Sequence, residues 1–369
     1  MTKASDLLPE GLEDRLPRVA GRITHAMRAC LDVLDTHGYD RVRPPLLEFE
    51  RSLSSRMQGV ATQRCFRFVD PASLRTLALR SDITPQIGRI AATSMRGAAR
   101  PLRLAYCGET ALIKASQLDP ARERLQLGGE LIGADTVAAA GEAVTVAIAA
   151  LKAAGVSGIS VDFTLPDLVD TLCGKDPALD QDTVEAIRRE LDTKDAGGLK
   201  AAGGAAFLPL LYATGPFAEA LSKLRDFDQG GALTSRIEGL AAIAAQIGDA
   251  ARITLDPTER HGFEYQTWFG FTLYAEGVRA AVGRGGTYRI GGSDEAATGF
   301  TLFVDRLAEA SAQPSSPRQT IYLAAGYDAA AARAAQAQGH RTIAQLSDGE
   351  DPAALGCTHR MDGVQIVPV

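Results

Sequence analysis

The 369-residue chain contains no CxxC pair. Its five cysteines, Cys30, Cys65, Cys107, Cys173 and Cys357, are scattered and odd in number. This argues against both a zinc-ribbon spacing and a disulfide framework. Free thiols in a reducing compartment are expected instead. No long Lys/Arg run occurs, and the formal net charge is -6, so the simplest signature of a nucleic-acid binder is missing. No uncharged apolar stretch is long enough to span a bilayer. The N-terminus lacks the basic-then-apolar pattern of a secretory signal. A cytoplasmic protein without a metal or cofactor is therefore expected. No self-similarity at solenoid periods is found either.

What is present is ordinary for a globular chain: 46% hydrophobic, 23% charged, 37 Gly and 17 Pro. The length fits one large domain with smaller additions. Leu16, Val19, Ile23, Met27, Leu31 and Leu34 recur at three- and four-residue steps, which predicts one face of a helix ending near Gly38. Two prolines, Pro44 and Pro45, interrupt the extended stretch that follows. Strand-like runs are read at 65–69 and 76–79, with a helix from Pro85 and a strand over 102–106. A polar loop, 114–124, leads to Leu125–Gly133, and an alanine-rich helix spans 136–154. Residues 166 to 250 read as a helical insertion with glycine breaks. Strands are expected at Ile253, 269–274 and 279–282, and Gly283–Tyr288 reads as a glycine-rich turn. A linker at Pro314–Pro317 precedes a small α/β tail.

On a strand, Gln126, Gly128 and Glu130 fall on one face. Gly128 carries no side chain, so a ligand could lie across it between the other two. A buried Glu130 without a partner is costly, so the alternative structural reading requires a cation nearby. Asp82 and Thr84, before Pro85, form a good helix start on propensity grounds alone.

The order of these pieces resembles the class II aminoacyl-tRNA synthetases, and in detail histidyl-tRNA synthetase, over roughly residues 8–310. The helix ending at Gly38-Tyr39, followed by Pro45-Leu46-Leu47-Glu48, resembles motif 1, which implies a homodimer interface. Gln126–Gly133 resembles the strand of motif 2, and Thr298–Leu307 resembles motif 3, with Arg306 at its arginine. Gly262–Thr267 and Gly283–Tyr288 resemble the two histidine-specific signatures. The resemblance implies an α+β fold: an antiparallel sheet flanked by helices, spanning 1–313, with the insertion at about 166–250. Residues 318–369 form a small C-terminal α/β domain. It also implies a histidine pocket made by Asp82, Thr84, Gln126, Glu130 and Tyr265.

The chain departs from a working synthetase at Cys107 and His261, which stand where the resemblance places arginines. Adenylation needs cations to offset phosphate charge, and neither residue supplies a permanent one. No catalytic residues are therefore assigned. The tail of ~50 residues is also short for an anticodon-binding domain of about 100, which argues against tRNA binding. This combination resembles the regulatory subunit of the short-form ATP phosphoribosyltransferases. That resemblance implies partnership with a separate catalytic chain, a requirement for that chain's activity, and feedback inhibition by histidine in the first step of histidine biosynthesis. Two alternatives stay open: a divergent active histidyl-tRNA synthetase, and a histidine- or tRNA-binding paralogue with another partner.

Overall fold

The computed structural model describes residues 7–54, 65–114, 120–174, 180–260, 266–311 and 319–369. The chain divides into two compact units, Met1–Ala312 and Gln313–Val369.

The first unit opens with helix α1 (Pro17–Thr36), started by a proline in its first turn. Gly38, at φ +78°, stops it in a conformation that glycine adopts without strain. Strands β1 (Asp40–Arg41) and β2 (Leu47–Phe49), helix α2 (Glu50–Ser54), strands β3 (Arg67–Val69) and β4 (Thr76–Leu79), and helix α3 (Thr84–Ala92) follow. Two long antiparallel strands come next, β5 (Leu102–Ala111) and β6 (Glu123–Ile132), then helix α4 (Val137–Ala153) and strand β7 (Ser160–Thr164). The insertion contains α5 (Leu168–Cys173), α6 (Gln181–Asp192), α7 (Ala196–Ala201), the short strand β8 (Gly215–Pro216), α8 (Phe217–Phe227) and α9 (Thr234–Ile247). Strands β9 (Arg252–Leu255), β10 (Gln266–Tyr274), β11 (Gly283–Ile290) and β12 (Glu295–Phe303) complete the sheet, and α10 (Val304–Ala310) ends the unit.

Nine of these strands make one sheet in the order β1-β5-β6-β12-β11-β10-β7-β9-β8. The five central strands, β5 to β10 in that order, are antiparallel to one another, whereas β1 pairs with β5 and β7 with β9 in parallel. A separate three-stranded sheet has the order β2-β4-β3. Helices α1, α4, α9 and α10 pack together on one face of the large sheet. Alanine is the reason they approach closely: α4 buries Ala139, Ala140, Ala143, Ala147 and Ala150. Leu127, Leu131, Phe269, Phe271 and Leu302 meet them from the sheet.

Three expectations change. Of the stripe read for α1 only Leu34 is buried, together with its neighbours Ala26 and Cys30; Ile23, Met27 and Leu31 are half-buried, while Leu16 and Val19 are 68% and 40% exposed. Residues 279–282 form no strand. The glycine-rich segment from Gly283 is itself a strand, β11, at the centre of the sheet. Its glycines leave room for side chains that cross from neighbouring strands, as described below.

In the second unit, β13 (Thr320–Leu323), α11 (Ala329–Ala337), β14 (Arg341–Ala344), β15 (His359–Asp362) and β16 (Gln365–Pro368) form a four-stranded sheet of order β14-β13-β15-β16. Its core is Ile321, Leu323, Ala332, Ala335 and Met361. The linker read at Pro314–Pro317 lies outside the described residues.

Candidate ligand-binding site

The face of the large sheet turned away from these helices carries an apolar cluster of Ile83, Ile87, Leu102, Leu104, Ile132 and Ile290 and, beside it, polar rows that strand register explains. Laterally paired residues share a face. One row across the sheet runs Tyr106, Gly128, Thr301, Arg284, Thr272 and Asp162. The next row runs Glu130, Gly299, Gly286, Gly270 and Thr164. Three glycines on three adjacent strands thus form a trough with Glu130 at one end. Each neighbouring side chain lies down over a glycine. Tyr106 covers Gly128, Glu130 covers Gly299, and Gln266 covers both Gly270 and Gly286.

Glu130 is buried at that end of the trough. Its Oε2 accepts a hydrogen bond from the Tyr288 hydroxyl at 2.9 Å. Its Oε1 accepts from Thr84 Oγ1 at 3.0 Å and from the Tyr106 hydroxyl at 3.4 Å. The need for a cation, argued above from sequence, is thus met differently, by three hydroxyls. Hydrogen bonds to a charged group contribute ~1.5–3 kcal/mol each, against several kcal/mol for burying the charge. Desolvation wins: burial pushes the Glu130 carboxyl up to about 8, with the Tyr288 and Thr84 bonds opposing it. The carboxyl therefore holds its proton to a higher pH than an exposed glutamate does. Asp82 stands at the same end of the site. Burial raises it, while the Thr84 N–H and the Arg284 charge pull it back.

Thr84 and Glu130 line a small cavity together with Gln266, Arg284, Tyr288 and Thr301. Asp82 and Gln126 support it from behind. Asp82 Oδ1 accepts from the Thr84 backbone N–H at 3.1 Å, and Gln126 Oε1 accepts from that of Ile83 at 3.1 Å. Both therefore hold the start of α3, and with it Thr84. Helix α3 is also fixed from outside, where Glu48 on β2 accepts from Arg89 at 2.5 Å and from Gln86 at 2.9 Å. Tyr265 and His261 lie outside the described residues. Sequence reasoning left Gln266, Tyr106 and Thr301 out of the site. The alternation that placed Gln126 and Glu130 together also applies to their strands, but register was needed to bring them here.

Cys107 pairs with Leu127 and packs with it against the helix-side core. It points away from Glu130, because strand alternation puts Tyr106 and Gly108 on the site face. A charge at position 107 would not reach this pocket. Arg306 is buried near the Phe303 ring, 4.9 Å from its centroid, and donates to the Ala281 carbonyl.

Residues 11–307 match the family model described as histidyl-tRNA synthetase. A protein named ATP phosphoribosyltransferase regulatory subunit, from Paramagnetospirillum magneticum, is 39% identical over the full length of both chains. The chain belongs to the family of ATP phosphoribosyltransferase regulatory subunits. Among solved structures, a regulatory subunit/histidyl-tRNA synthetase from Bacillus halodurans superposes with a TM-score of 0.80 at 27% identity, covering 96% of this chain and 97% of that one. An ATP phosphoribosyl transferase complex chain from Thermotoga maritima shares the fold at a TM-score of 0.60 and 15% identity, over 76% of this chain and 97% of that one. The class II synthetase-like architecture is thus established for this family member, with its sheet, flanking helices and insertion.

Proposed function

We propose that this chain acts as the non-catalytic partner of a short-form ATP phosphoribosyltransferase catalytic chain, in a hetero-oligomer in the cytoplasm. It is required for that chain's full activity and transmits feedback inhibition by histidine in the first step of histidine biosynthesis. The observation that carries this reading is full-length identity of 39% with a regulatory subunit of that enzyme. The mechanism is linkage: histidine shifts the complex only by binding one of its states more tightly than another.

The effector site of this proposal is the trough beside Glu130. Thr84 and Glu130 present polar groups to the cavity, and Asp82 and Gln126 keep them in place. Tyr265 completes the set by its place in the sequence. The exposed Leu16, just ahead of α1, and Val19 on it support a homodimer through the motif 1 region. tRNA binding is not part of the proposal. The domain boundaries we adopt are 1–313, with an insertion at about 166–250, and 318–369.

The test is phosphoribosyltransferase activity of a cognate catalytic subunit with and without this chain, then with histidine added. Stimulation that histidine reverses is the expected result. Absence of stimulation, together with histidine-dependent ATP–pyrophosphate exchange by this chain alone, would make it a synthetase.

A further inference from the structure

Gln266 sits in the trough as a ligand would. Its carboxamide lies over Gly270 and Gly286, so that a Cβ built on either glycine would meet it at 2.5 and 2.8 Å respectively. Glu130 lies over the third glycine, Gly299. Glycine on three adjacent central strands is unfavourable for a sheet and marks a place where something approaches the backbone closely. Here two side chains make that approach from opposite ends. The space left between them is about 20 Å³, enough for a water molecule. Pockets that take small molecules measure hundreds of Å³.

The hold on Gln266 is light. Its Nε2 donates to the Gly285 carbonyl at 2.9 Å, and the residue is only half-buried. It stands at the start of β10, ahead of a register irregularity between Gln266 and Gly270. Irregularities of this kind re-aim a side chain relative to the regular strand. A carboxamide also carries a donor and an acceptor in one plane. It offers the trough the hydrogen-bonding chemistry of a small planar ring with one N–H and one bare nitrogen.

We propose that Gln266 is an internal plug: its carboxamide occupies the seat between Glu130 and Thr164 that a small planar donor–acceptor ring takes, and entry of that ring requires Gln266 to swing out. The inference rests on the reading of this trough as a histidine site, and it adds a competitor within the chain. Apparent affinity then falls by the fraction of molecules in which the seat is clear. The plug sets the histidine concentration at which the pocket fills.

Titration calorimetry of L-histidine into the full-length chain tests this with the variants Gln266→Ala, Gln266→Asn and Glu130→Gln. Both Gln266 variants are expected to bind about three- to tenfold more tightly than the wild type, since the shorter amide cannot span Gly286. Gln266→Asn keeps a polar residue at the strand start if the alanine variant folds poorly. Equal or weaker binding by both, with Glu130→Gln still impaired, overturns the plug and leaves the pocket intact. Wild-type affinity in Glu130→Gln, or no binding by any of the proteins, overturns the pocket and the plug together.

Discussion

Tyr106 on β5 reaches Thr301 on β12, two strands away, by lying across Gly128 of the strand between them; their oxygens stand 2.5 Å apart. A Cβ at position 128 would strike the Tyr106 ring and hydroxyl and the Phe300 carbonyl. Neither ring nor backbone can yield easily in a packed sheet. Gly128→Ala is therefore expected to cost ~2–4 kcal/mol. Chemical denaturation would report it as a lower midpoint at unchanged slope. Adding Tyr106→Leu should recover part of the loss, because the collision is then partly removed.

Glu48 is the anchor of α3. Its carboxylate is 9% exposed and takes Arg89 and Gln86 from the helix. Glu48→Ala leaves Arg89 without this partner and should destabilise by roughly 2–3 kcal/mol. The expected consequence for function is weaker histidine binding, since α3 carries Thr84 into the site. Unaltered affinity in a folded Glu48→Ala protein would separate the helix anchor from the pocket.

The exposed part of the α1 stripe predicts an interface. Leu16 and Val19 continue the apolar spacing of the helix but leave the core. Leu16→Asp with Val19→Asp should leave the fold intact, because neither residue is buried in the chain. In sedimentation velocity the wild type is expected as a dimer and the double variant as a monomer. A monomeric wild type would remove the motif 1 interface from the proposal.

Element order was readable because helix and strand periods differ: α1, α4, β6 and β10 fall close to their expected places. The co-facial set Gln126, Gly128 and Glu130 followed from a period of two. What surrounds Glu130 could not be read this way. Tyr106, Tyr288 and Gln266 come from strands up to 182 residues apart in the sequence, and only register brings them together. Glycine misled twice. Gly283–Tyr288 carries a turn's composition, yet it is a central strand whose glycines admit crossing side chains. Gly128 was read as room for a ligand, and Tyr106 takes that room.

Glu130 should also be visible in the pH dependence of stability. Its carboxyl is raised from the ordinary value of 4.5 to about 8, mainly by burial. Between these values the unfolded chain has lost this proton and the folded chain still holds it. Folding then binds a proton, so this group lowers stability as pH rises from about 4.5 through about 8. Below that window both states are protonated and the effect is absent; above it the effect is complete and constant. Glu130→Gln carries no proton to lose, and its amide oxygen can still accept from Tyr288. The variant should be about as stable as the wild type near pH 5 and more stable near pH 9. Thermal melts across that range give the comparison directly. A wild-type curve no steeper than that of Glu130→Gln would mean that the three hydroxyls hold the carboxylate charged in the folded chain.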